Sequence, residues 1–294
     1  MKKWALLLAG ALAFGGAAGC AKGEEESEQG EWAKDKTLKI LTIGNSFSDD
    51  TMEYVWKISH SLGVEKIRLG NLFIGGCPLD THYENAMSGR AAYEYRTNYE
   101  DSWKNEKGWA MGDAIVSENW DFISLQQSSG SSGVSQSYAR LNELTSYVKS
   151  LAGGETKLVW NMTWAYQEDS THPEFKNYGG DQATMYGKIV ETVRSEVLSK
   201  DAVSAVIPVG TAIQNARTSF VGDTLTSDGY HLTYSLGRYI AGLTLVHALT
   251  GLDLTDAVFC PEGLNENRKK AAVEAARNAV KTPYEVIESV YTRP

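Results

Sequence analysis

Two short segments, one near each end of the chain, hold the residue types of nucleophilic catalysis. The first is Gly44-Asn45-Ser46-Phe47-Ser48, directly after the apolar run Leu38-Lys39-Ile40-Leu41-Thr42-Ile43. The second is Ser227-Asp228-Gly229-Tyr230-His231-Leu232. A serine hydroxyl is a weak nucleophile until a neighbouring base takes its proton. His231 is the candidate base, and Asp228 would hold its imidazole in the useful tautomer. Taken singly, each residue has a plainer reading. Ser46 lies in turn and helix-cap material, Asp228 suits a cap, and a lone histidine is more often structural. Their joint placement at element boundaries points to a hydrolase with the chain order Ser, Asp, His.

The elements that must position these groups follow from apolar patterning. Residues 38–43, 66–74, 121–126, 157–160 and 203–209 read as buried strands. Helical patterning covers 51–62, 182–198 and 234–249, the last stopped by Gly251. Tyr138, Leu141, Leu144, Tyr147, Val148 and Leu151 recur at helical spacing. Further helices are expected around 265–281 and 284–291. A tyrosine-rich alternating stretch, Tyr93 and Tyr95 and then Tyr99, towards Trp103 and Trp109, reads as a hairpin or lid between core elements. Strands alternating with helices imply an α/β domain with a parallel sheet covered on both faces. Ligands then bind beyond the carboxyl ends of the strands. Gly44–Ser48, Gly75–Cys77 and Gln126–Gly130 each follow a strand and should converge on that edge.

With those blocks in place, the chain resembles the SGNH (GDSL-like) hydrolases, in particular a branch long labelled a domain of unknown function. The resemblance spans residues 38–250 and rests on Ile43-Gly44-Asn45-Ser46-Phe47-Ser48, on Ile74-Gly75-Gly76-Cys77 and on Asp228-Gly229-Tyr230-His231. It implies a three-layer α/β/α flavodoxin-like fold and a cofactor-free serine esterase with Ser46, Asp228 and His231 as its triad. It also implies an acylated, often O-acetylated, carbohydrate as substrate. Lipase, thioesterase and acyltransferase chemistry would use the same triad, and a non-catalytic glycan-binding lipoprotein is the rival of another class. Two departures stand out. The usual Gly-Asp-Ser is Gly-Asn-Ser here, and the third block, normally Gly-x-Asn-Asp, is Leu125-Gln126-Gln127-Ser128-Ser129-Gly130. That block normally lends an amide donor to the oxyanion hole. Its loss would cost about 2.7–4 kcal/mol in the transition state. Gln127, or else Gln126, is the expected substitute, beside the backbone N–H groups of Ser46 and of Gly75 or Gly76.

Trp164 and Tyr166, leaving the fourth strand towards the same edge, are weaker candidates for stacking on a sugar. Arg217 reads as a surface salt bridge or a contact to a polar substrate. His60, His82, His172 and His247 lack metal-ligand spacing. Gly187-Lys188 is no phosphate loop, and the Gly-x-Ser-x-Gly elbow of the α/β-hydrolases is missing. No metal or cofactor is implied.

The first residues read as a leader. Lys2 and Lys3 precede the apolar run Trp4–Phe14, and Ala17-Ala18-Gly19 leads into Cys20, a secretory pattern that resembles a bacterial lipobox. The run is short for a membrane span, which needs roughly 20 residues. Residues 1–19 are thus expected to be a lipoprotein signal, with Cys20 lipidated and anchored in the bilayer of the cell envelope. The acidic residues 20–36 would be a solvated tether, and 37–294 one hydrolase domain. Lys and Arg number 28 against 37 Asp and Glu, a net charge of −9, which disfavours nucleic acid as a partner. Cys77 and Cys260 would remain, able to pair in an oxidising compartment.

Overall fold

A computed structural model describes residues 30–200, 203–254 and 259–292. The leader 1–19, Cys20 and the first part of the tether lie outside the described residues. The described strands form one seven-stranded sheet. They are β1 (Leu38–Gly44), β2 (Ile67–Phe73), β3 (Tyr93–Asn98), β4 (Trp103–Trp109), β5 (Phe122–Leu125), β6 (Lys157–Asn161) and β7 (Ala205–Ile207). Their spatial order is β4-β3-β2-β1-β5-β6-β7. The five strands from β2 to β7 in that order run parallel, as patterning predicts. β1 and β5 are buried almost throughout, since helices cover both faces of a parallel sheet.

The tyrosine-rich stretch is a hairpin, and it extends the sheet rather than covering it: β3 pairs antiparallel with β2, and β4 with β3. Alternation turns Tyr93 and Tyr95 into the core. The outer strand, exposed between its half-buried end residues Trp103 and Trp109, carries Lys104, Glu106 and Lys107, charges that discourage pairing with another chain.

The helices that matter here are α1 (Ser46–Met52), α2 (Val55–Ser61), α3 (Leu79–Ser88), α4 (Met111–Val116), α5 (Leu141–Leu151), α6 (Gln182–Thr192), α7 (Val209–Arg217), α8 (Leu236–Thr250) and α9 (Glu266–Lys281). α8 is buried along most of its length and ends at Gly251, whose φ of 74° is the left-handed stop that glycine favours. It packs against α1 and α2 and also against α7 and α9. The segment just before α8 is thereby carried to the start of α1.

Three expectations are corrected. The helix expected over 51–62 starts at Ser46 and breaks into α1 and α2, because the Asn45 side chain caps the earlier turn. Residues 30–35, expected in a solvated tether, are helical. Ala33 is buried there, and Trp32 packs against Phe122 with ring centroids 6.1 Å apart. Residues 284–291 are not helical. Side chains elsewhere take their backbone donors: Ile287 N donates to Asn215 Oδ1 at 2.8 Å and Ser289 N to Thr218 Oγ1 at 2.8 Å. Sequence patterning also passes over α3, α4 and α7, which are short or rich in small residues. Among the described residues no helix is long and apolar enough to cross a membrane.

Candidate active site

β1 ends at Gly44, where the chain must turn sharply into α1. A Cβ at Gly44 would lie 2.8 Å from Ser48 Oγ and 3.0 Å from Gln126 Cδ, so only glycine fits between them. Asn45 then caps α1, its Oδ1 accepting from Phe47 N at 3.0 Å. Ser48 Oγ lies 2.7 Å from Asn45 O and 2.9 Å from Asn71 Oδ1, tying the turn to β2. Ser46 is left on the outer side of this turn, partly open to solvent.

The other half of the site is the loop before α8. Gly229, with φ +91°, lets the chain fold back so that Asp228 Oδ1 accepts from Tyr230 N at 3.2 Å and His231 N at 2.8 Å. Asp228 Oδ2 sits 2.7 Å from His231 Nδ1, and His231 Nε2 sits 2.8 Å from Ser46 Oγ. A carboxylate only accepts, so Nδ1 carries the ring proton and Nε2 accepts from the serine hydroxyl. Burial pushes the Asp228 carboxyl up, but the imidazole and the two N–H groups outweigh it and hold the carboxyl below its ordinary value. Ser46, distant in sequence from both, is thus joined to His231 and Asp228 in one hydrogen-bonded chain. In chemical terms the chain can carry a proton from a hydroxyl to an imidazole whose orientation is fixed.

The model of a family described as a domain of unknown function, DUF4886, matches residues 39–280. The chain belongs to this family. A solved DUF4886 family protein from Bacteroides uniformis is 41% identical, with a TM-score of 0.85, covering 88% of this chain and 100% of that one. A catalytic mutant of an acetylxylan esterase from Geobacillus stearothermophilus aligns at 13% identity and a TM-score of 0.46, covering 76% of this chain and 94% of that one. Among curated proteins none matches.

In this DUF4886 chain several groups stand elsewhere than the sequence suggests. The two glutamines of the third block are buried, and their amides are already engaged. Gln127 Nε2 donates to Ser137 O and lies equally close, 2.9 Å, to Ser137 Oγ. Gln126 Nε2 donates to Asn45 Oδ1 at 2.9 Å. Gly75 and Gly76, by contrast, are exposed on the turn after β2. Trp164 and Tyr166 are both 0% exposed, so neither offers a face to a sugar. They lie inward because the chain leaving β6 passes beneath the Asp228–His231 loop. Trp164 stacks on Phe47 with ring centroids 4.0 Å apart, and its Nε1 donates to Tyr230 O at 2.7 Å. It therefore touches the neighbour of Ser46 and the neighbour of His231 at once. Tyr166 places its hydroxyl 2.8 Å from Ser129 Oγ.

Arg217 makes a salt bridge, but a buried one rather than one on the surface: it lies 2.8 Å from Asp223 Oδ1 and donates to Ala165 O at 3.1 Å. Cys77 and Cys260 are both free, and burial pushes the Cys77 thiol up to about 12. Asp50 is the group that sequence reading misses. Its Oδ2 accepts from Leu232 N at 2.7 Å, the residue after His231, and its Oδ1 pairs with Arg238 at 2.8 Å. Burial drives its carboxyl up to about 6 even though Arg238 pulls the other way. The only signal available was a carboxylate one helical turn after the serine, and an acidic helix face usually means solvent.

Proposed function

We propose that the protein is a serine esterase acting through Ser46, His231 and Asp228. Ser46 Oγ attacks the ester carbonyl carbon while its proton passes to His231 Nε2. Collapse of the tetrahedral intermediate breaks the bond to the alcohol, which leaves with that proton. Water then attacks the acyl-serine, again giving a proton to Nε2, and the carboxylic acid departs as Ser46 regains its hydrogen. Asp228 stays ionised throughout and stabilises the imidazolium.

The observation that carries this reading is the 2.8 Å and 2.7 Å pair of contacts on either side of one imidazole. The site opens to solvent, with the Asp228 side chain 41% and the His231 side chain 28% exposed. That openness favours an acyl group carried on a bulky polar body, such as an acylated carbohydrate outside the cell, over a long acyl chain that would need a closed apolar tunnel. Lipidation at Cys20, with anchoring at the cell envelope, belongs to the same proposal and rests on the leader sequence alone.

Turnover of p-nitrophenyl acetate tests the reaction. Ser46→Ala and His231→Ala should each lower kcat by roughly 10⁴- to 10⁶-fold. A native protein no faster than either variant would refute the esterase reading. Faster turnover of long-chain p-nitrophenyl esters than of the acetate would point instead to a lipase.

A further inference from the structure

The chain's two departures from the SGNH pattern, Asn45 and Gln126, are hydrogen-bonded to each other, and together they act on a third place. After β2 the chain turns over Ile74–Cys77. Cys77 N donates back to Ile74 O at 3.3 Å, and Gly76 has φ +63°, the left-handed third position of a type II turn. Ile74 N donates to Gly44 O at 3.2 Å, which ties the start of the turn to the end of β1. Among the described residues no acceptor engages the N–H of Gly75 or Gly76. The far side of the turn hangs on the Asn45 side chain, whose Nδ2 donates to Cys77 O at 3.1 Å.

The orientation of that amide is forced by a chain of partners. Thr51 Oγ1 gives its proton to Phe47 O at 2.9 Å, so it can only accept from Asn161 Nδ2 at 3.3 Å. The same Nδ2 donates to Gln126 Oε1 at 3.0 Å, which turns the Gln126 NH₂ towards Asn45 Oδ1. Asn45 Oδ1 also accepts from Phe47 N, so its NH₂ must face Cys77 O. An aspartate at 45 would keep the cap on α1 but set a carboxylate oxygen against a carbonyl oxygen. Asparagine meets both demands, one as acceptor and one as donor. Gln127 fixes the next segment in the same manner, its Oε1 accepting from Leu79 N at 3.0 Å.

We propose that Asn45 is a positioning residue. It locks the Ser46 backbone to the Gly75–Gly76 turn, so that an oxyanion hole made of backbone N–H groups alone keeps its spacing. This role rests on the esterase reading and changes what the third block does. Its glutamines brace the hole through Asn45 and Leu79 and do not donate to the oxyanion. Asn45 itself touches no reacting atom.

Asn45→Ser and Asn45→Asp test it. Serine is as good a helix cap as asparagine but is too short to reach Cys77, while aspartate keeps the size and loses the donor. Both variants should lower kcat for p-nitrophenyl acetate by roughly 10- to 100-fold, with KM nearly unchanged, as expected when only transition-state stabilisation is lost. A purely structural cap would leave kcat of the folded Asn45→Ser protein at the native value, and that result overturns the proposal. Should the buried charge keep Asn45→Asp from folding, Asn45→Ser alone decides. If native turnover does not exceed that of Ser46→Ala, the esterase reading fails separately. The crystal structure of Asn45→Ser then judges the positioning role: a Gly75–Cys77 turn displaced from Ser46 upholds it, and an unmoved turn overturns it.

Discussion

The serine and the histidine rest on supports of opposite kinds. Ser46 follows a fully buried stretch of β1, and its neighbours Asn45, Phe47 and Ser48 are at most 2% exposed. Sheet pairing, a helix cap and two buried amides set its position several times over. His231 and Asp228 stand on a partly exposed loop whose one ladder contact is the isolated bridge between Thr226 and Leu232. That loop is held from outside. Asp50 accepts from Leu232 N, Trp164 donates to Tyr230 O, and Gln167 N donates to Gly229 O at 2.8 Å. A hydrogen-bonded serine–histidine pair can therefore be built with one member fixed by the sheet and the other moored to it by a few buried side chains.

Cutting the moorings is the sharpest way to break this contrast. Asp50→Ala removes the acceptor for Leu232 and takes one of the two carboxylates from Arg238, leaving Glu53, 2.9 Å from its Nη1. Breaking a buried ion pair costs about 3–5 kcal/mol, so urea unfolding should show a loss of that order, with turnover falling further than the folded fraction. A loss below about 1 kcal/mol would mean the loop needs no such anchor.

Acid should weaken the serine's side. His82, in α3, the helix that follows the Gly75–Cys77 turn in the chain, is wholly buried, and burial lowers its pKa from 6.5 to about 4. Above pH 6.5 neither the folded nor the unfolded form carries this proton. Between 6.5 and 4 the unfolded chain binds it and the folded one does not, so stability falls as pH falls. At about 1.4 kcal/mol per unit the loss reaches roughly 3 kcal/mol. Asp50, whose carboxyl is raised to about 6, works in the opposite sense over the same window. In denaturation curves the stability of the native protein should therefore fall relative to that of His82→Leu as pH drops from 6.5 to 4; a constant difference would place the sensitivity elsewhere.

Trp164→Phe is the mildest cut. It keeps a ring on Phe47 and removes one buried hydrogen bond, a loss of about 1–3 kcal/mol since Tyr230 O is left without that donor. Turnover should drop more than KM rises. A variant with native kcat would show that the stack alone holds the loop.

What the sequence makes legible follows the same division. β1 and the turn at Ser46 are local: an apolar run, a glycine, an asparagine and a serine read as strand, turn and cap. Asp228 and His231 are legible because three residues suffice to pair them. Asp50 is not, for an acidic Asp49-Asp50 on a short helix looks like a solvated face until α8 brings Arg238 against it. Trp164 and Tyr166 follow a strand, where aromatic residues serve core and surface alike, and only the path of the chain beneath the loop decides for the core. The role of Gln126 depends on Asn45, Asn161 and Thr51 meeting across three elements, which no local pattern encodes. The tail after Pro283 has helical composition, yet Asn215 and Thr218 offer its N–H groups better acceptors.

The most direct test of a working Ser46–His231 pair is covalent. A fluorophosphonate reacts with an activated serine, and mass spectrometry locates the adduct. The native protein should take up one label, on Ser46, with none in Ser46→Ala and a greatly slowed reaction in His231→Ala. A label on another residue, or equal rates with and without the imidazole of His231, would contradict the mechanism.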